Sequence, residues 1–121
     1  MANEATITVS LAFAKGNVDS IARSKTAASF DVSGSKYHAA VQEIGTSEEA
    51  IVLGDVSSPG WAYFENLDSA NFVEIRPNTG VADMLKLKAG EVAVCRLASD
   101  SVPYAIADTA AVNLEYLIIE D

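Results

Sequence analysis

Apolar residues recur at every second position along this chain, in short runs that turn residues keep interrupting. Ile7, Val9, Leu11 and Phe13 alternate with Thr8, Ser10 and Ala12, which is the period of a strand with one buried face rather than of a helix. Ala28, Phe30 and Val32 repeat the pattern around Ser29 and Asp31, and Tyr37, Ala39 and Val41 repeat it again. Ala50-Ile51-Val52-Leu53 is a short continuous apolar run, as in a strand covered on both faces. Trp61 and Tyr63 share one face of the next run, with Ala62 and Phe64 on the other. Phe72-Val73-Glu74-Ile75 resumes as a strand. Leu85 and Leu87 flank Lys86, and residues 91–97 return across Ala89-Gly90 as the second arm of a hairpin. Tyr104-Ala105-Ile106-Ala107 and Leu114-Glu115-Tyr116-Leu117-Ile118-Ile119 complete the series.

Turn residues separate these runs. Gly16-Asn17, Ser33-Gly34-Ser35, Ser57-Ser58-Pro59-Gly60, residues 66–71 and Pro77-Asn78-Thr79-Gly80 combine positive-φ tolerance with side chains that bond their own backbone. Turn signals spaced about 8–12 residues apart predict an all-β chain: a single-domain antiparallel β-sandwich, with a jelly roll as its expected form. Residues 17–25 are polar enough to read as a loop. Residues 18–28 and 108–116 are Ala-rich and admit a helical turn, but neither carries an apolar stripe with caps at both ends. At 121 residues the chain has the length of one domain, 1–121, with residues 1–6 as an N-terminal arm.

Charge narrows the function. Eight basic against seventeen acidic side chains leave a formal charge of −9, which repels phosphate backbones and anionic lipid and argues against a nucleic-acid or membrane partner. The Ala12-Phe13-Ala14 sequence imitates a signal-peptidase site, but Glu4 stands where a signal peptide needs a base, and Thr6, Thr8 and Ser10 interrupt the stretch. No apolar run approaches the roughly 18 residues of a membrane-spanning helix.

Catalytic constellations are missing from the sequence. It contains no Gly-x-Ser-x-Gly elbow, no P-loop and no dinucleotide-binding glycine pattern. A single Cys95 and a single His38 cannot supply the three or four ligands of a zinc site. Cys95 lies in the apolar run Val92-Ala93-Val94-Cys95 and reads as a small buried hydrophobe. His38 reads as a strand histidine facing away from Tyr37 and Ala39. Glu65 and Asp68 flank a turn without the spacing of a calcium loop, and a glycosidase pair needs a carboxylate separation that sequence does not define. Lys86 and Lys88 are expected to project outward, opposite Leu85 and Leu87. The expectation is therefore no enzyme, no cofactor and no metal. Abundant apolar residues and edge strands point instead to a structural or interaction protein.

Residues 60–68, Gly-Trp-Ala-Tyr-Phe-Glu-Asn-Leu-Asp, followed by Asn71-Phe72-Val73-Glu74-Ile75, resemble a pattern in small virion proteins of tailed bacteriophages. The resemblance continues through Leu85-Lys86-Leu87-Lys88-Ala89-Gly90-Glu91, Arg96-Leu97 and residues 104–108 to the segment 114–121. It implies a capsid decoration, or cement, protein. Such a protein is made in the host cytoplasm, sits on the outer capsid surface as a trimer or dimer, and clamps neighbouring major capsid subunits. A tail or head–tail-connector protein is the nearest alternative. A carbohydrate-binding module, with Trp61, Tyr63, Phe64 and Phe72 as its platform, is a third. Under the clamp reading, contacts are expected from Ala2, Asn3, Glu4, Ala5 and Thr6 and from the turn Asn66, Leu67, Asp68, Ser69, Ala70 and Asn71. Trp61 and Tyr116 are assigned to the core.

Overall fold

The computed structural model of the chain describes residues 3–121. Among them are ten β-strands and no helix, and every strand pairing is antiparallel. The chain divides into two compact units, one reaching to Ser33 and the other spanning Gly34–Asp121.

The first unit is a long hairpin of β1 (Ala5–Lys15) and β2 (Val18–Phe30). Gly16 stands at the first of its two loop positions with φ of +50°, a conformation that residues with a Cβ resist. Of the expected loop 17–25 only Asn17 belongs to the turn, residues 18–25 being strand, and 18–28 hold no helical turn. Their polarity misleads because strand pairing uses the backbone, whereas side-chain polarity reports only exposure. Register slips between Ile7↔Ala28 and Val9↔Lys25. There two residues of β2 face one of β1, a β-bulge; the Ala27 N–H donates to Thr8 Oγ1 at 3.0 Å and Ala27 takes φ of +52°.

The second unit holds β3 (Tyr37–Ile44), β4 (Glu49–Ala50), β5 (Pro59–Asn66), β6 (Val73–Arg76), β7 (Leu85–Leu87), β8 (Val92–Arg96), β9 (Tyr104–Ala107) and β10 (Val112–Glu120). They form two four-stranded sheets, ordered β3-β10-β5-β8 and β4-β9-β6-β7. Ile44, Phe64, Leu114, Tyr116 and Ile118 of the first sheet share one apolar core with Val73, Ile75, Leu87 and Ala105 of the second, a sandwich-like arrangement. Register fixes which residues enter it. Tyr116 pairs with Phe64 and Ile118 with Ala62, so the even positions of β5 and β10 point inward together.

Four sequence expectations need correction here. Trp61 sits on the outward phase of β5 and is only half-buried, whereas Tyr116 is core as expected. Leu85 and Leu87 do not form a hairpin with residues 91–97: β7 pairs with β6 and β8 with β5, so the chain changes sheets across Ala89-Gly90. The run Ala50–Leu53 is strand only at Ala50, with Ile51 buried and Val52 exposed. Residues 112–116 belong to a strand, since β10 finds partners on both sides.

Candidate interaction site

Asn66 ends β5 and organises the turn that follows it. Its side chain is 0% exposed. Nδ2 donates to the Asn71 carbonyl at 2.9 Å and to the Leu87 carbonyl at 3.0 Å, and Oδ1 accepts the Asp68 N–H at 2.9 Å. Asp68 Oδ2 in turn accepts the N–H groups of Ala70 and Asn71 at 2.9 and 2.6 Å. Those two donors hold the Asp68 carboxyl below its ordinary pKa. Thr109 Oγ1 donates to Asn71 Oδ1 at 2.9 Å. The expected contact turn is therefore built on a buried hub. Asn66 itself touches no solvent, Asp68 and Asn71 are half-buried, and Leu67, Ser69 and Ala70 form the exposed rim.

The other expected contact segment belongs to the first unit. Ala2 lies outside the described residues. The Asn3 N–H donates to Asp31 Oδ1 at 2.7 Å, and Glu4 Oε2 accepts the Val32 N–H at 3.4 Å. Ala5 pairs with Phe30 and Thr6 with Ser29. Asn3 to Thr6 thus close the open end of the hairpin, and among them Ala5 is buried.

Sequence reasoning missed a second surface, the outer face of β3-β10-β5-β8. Residues paired across neighbouring strands share a face, so Ala39, Leu117, Tyr63 and Val94 form one row, and Val41, Glu115, Glu65 and Val92 the next. Tyr37 is 68% exposed, and Val41, Val92 and Val94 are exposed as well. A shallow hollow of about 270 Å³ opens on this face between Ala39, Val41, Tyr63, Glu115 and Leu117. The Tyr63 hydroxyl donates to Glu65 Oε1 at 2.7 Å, and that carboxylate raises the phenol's pKa. The sequence did carry a signal for this surface: Leu117-Ile118-Ile119 and Val92-Ala93-Val94-Cys95 are unbroken apolar runs, where a strand with a solvated face alternates.

The residues weighed for chemistry are engaged in structure. Cys95 is half-buried on the core side, and desolvation pushes its thiol pKa up, away from a reactive thiolate. The His38 ring lies 5.8 Å from that of Tyr116, and a Cβ at Gly54 would stand 2.5 Å from its Nδ1. Lys86 Nζ sits 4.0 Å above the Phe72 ring, a cation–π contact that covers one aromatic of the expected platform. Phe64 is buried outright. Among the described residues no three His, Cys, Asp or Glu side chains gather to hold a metal ion. A further network went unforeseen because its members are far apart in sequence. Glu48 accepts from Arg76, from the Thr79 hydroxyl and, at 3.0 Å, from the Gly80 N–H, while Arg76 Nε also donates to Asp83 at 2.5 Å. It pins the loop after β6 to the start of β4. No protein-family model, curated protein or solved structure matches this chain.

Proposed function

We propose that this chain is a structural protein of a tailed-bacteriophage particle, a decoration or cement protein on the outer capsid surface that stabilises contacts between major capsid subunits. The observation that carries the reading is the amount of apolar side chain left exposed on regular structure, from Leu11 on β1 to Tyr37 and Val41 on β3 and Val92 and Val94 on β8. Surfaces of this kind mark sites of assembly. The protein works as a clamp, without catalysis or cofactor: binding free energy gained on two capsid subunits at once adds to the cost of separating them. The Asn66 turn meets the capsid protein with its rim of Leu67, Ser69 and Ala70, held in shape by the bonds beneath. The N-terminal segment from Ala2 to Thr6 provides the second contact, with Asn3, Glu4 and Thr6 exposed for it. A charge of −9 keeps the protein off packaged DNA.

The sandwich itself we read as a jelly roll. In support, β3 pairs with β10, β4 with β9, β5 with β8 and β6 with β7, a nested set obtained by winding one long antiparallel ribbon into two sheets.

Cryo-electron microscopy of the particle containing this chain tests the assignment. Density bridging capsid subunits on the outer shell is the expected result. Density confined to tail or connector keeps a virion role and rejects the clamp. Glycan binding is favoured by one observation, the outward phase of Trp61 and Tyr63 on β5, and becomes the leading reading if no particle contains the chain.

A further inference from the structure

The hairpin is amphipathic. Val9, Leu11, Phe13 and Ile21 share one face with Arg23 and Lys25, because Phe13 pairs with Ile21, Leu11 with Arg23 and Val9 with Lys25. The opposite face presents the small pairs Ser10↔Ser24 and Ala12↔Ala22. Leu11 is 76% exposed, and Val9, Phe13 and Ile21 are exposed too. A lone two-stranded ribbon is marginal in water, so a ribbon of this length with a bare apolar face needs a cover.

Charge says what the cover is. Residues 5–30 carry Lys15, Arg23 and Lys25 against Asp19 alone, while the rest of the chain holds sixteen of the seventeen acidic residues and five of the eight basic ones. Neither Arg23 nor Lys25 pairs with a carboxylate among the described residues. On the outer face of β3-β10-β5-β8 the complement stands ready: an apolar row of Ala39, Leu117, Tyr63 and Val94 beside Glu115 and Glu65, which are direct cross-strand neighbours. Like charges so placed repel, and a cation arriving from outside relieves them.

We propose that the apolar, basic face of the β1–β2 hairpin of one copy docks on the outer face of the β3-β10-β5-β8 sheet of a second copy. Donor and acceptor patches differ, so the contact is head-to-tail, the kind that builds rings or open filaments. This goes beyond the capsid reading and does not depend on it, since it concerns copies of the chain in solution.

The full chain is weighed by light scattering and sedimentation from micromolar to millimolar concentration. A mass above the 12.7 kDa monomer that falls with added salt is expected. A hairpin variant, Leu11→Glu with Arg23→Glu, and a face variant, Val41→Lys with Glu115→Lys, each become monomeric while keeping their β-sheet circular dichroism. Mixed together they form a one-to-one pair, because one copy keeps a good hairpin and the other a good face. A monomeric full chain, unchanged mass in either variant, or a mixture that stays monomeric overturns the proposal; the last result would leave hairpin-to-hairpin pairing or a different protein as the cover. A measurement without substitutions stands beside these. Carbodiimide cross-linking of a ¹⁴N/¹⁵N mixture should join Lys25 to Glu115 or Glu65 in mixed-isotope pairs, and their absence also overturns it.

Discussion

Asn66 shows how much one side chain can carry. Three hydrogen bonds from a fully buried amide tie the end of β5 to the Asn71 and Leu87 carbonyls and to the Asp68 N–H. Asn66→Ala leaves those groups without their partner in a site water reaches poorly. Each such loss costs about 1–3 kcal/mol, so the urea midpoint should drop well beyond the effect of Ser69→Ala on the exposed rim. Equal midpoints for the two variants would remove Asn66 from its role as hub. The turn was legible in the sequence from its Asn and Asp content, but the hub was not, because Leu87 lies 21 residues away. Trp61 teaches the complementary lesson. The alternation of β5 was readable, yet nothing local distinguishes the face of Trp61 and Tyr63 from that of Ala62 and Phe64. Only packing against Val73, Ile75, Leu87 and Ala105 of the second sheet makes the latter the inside.

At the scale of elements, the ten strands divide into those that have a core and those that do not. The core cluster lies wholly between Ile44 and Ile118, so a chain beginning at Gly34 should fold without the hairpin. Its expected behaviour is one cooperative urea transition with β-type circular dichroism; a broad, non-cooperative melt would mean that the sandwich needs β1 and β2. The strands of the sandwich were legible because half-burial imposes the two-residue period on their side chains. Only the end of β2, at Ala28 and Phe30, was legible; residues 18–25 were not, because their side chains are all exposed and burial imposes no pattern on them. The change of sheet at Ala89-Gly90 was equally hidden, since a tight turn between two apolar runs looks the same whether the second run pairs with the first or leaves for another sheet.

For the whole molecule, acid is the informative perturbation. The Glu48 carboxyl is held below its ordinary pKa by the Thr79 hydroxyl first, then by the Gly80 N–H and Arg76. Glu120 is lowered by the Ser57 N–H and hydroxyl, and Asp68 by the N–H groups of Asn71 and Ala70. A depressed folded-state pKa means that the unfolded chain binds more protons across that interval. The stabilisation is complete above the unfolded values, near pH 4–5, and disappears as pH falls through the lowered folded values. Urea midpoints measured over a pH series should hold level above about pH 5 and decline below about pH 4. Glu48→Gln, Asp68→Asn and Glu120→Gln should each flatten that decline. A profile unchanged in the triple variant would show that these contacts do not set the acid limit.

β10 follows the other nine strands in the chain, yet it lies inside its sheet, between β3 and β5. As the polypeptide is made, β3 ends at Ile44 and β5 at Asn66, and each keeps one edge open until β10 begins at Val112. Until β10 clears the exit tunnel, this sheet lacks one of its two inner strands and Phe64 lacks its cross-strand partner Tyr116. The first sheet therefore cannot be completed before Glu120 has been made, and a ribosome stalled before Val112 would hold a chain with exposed strand edges, a natural client for a chaperone.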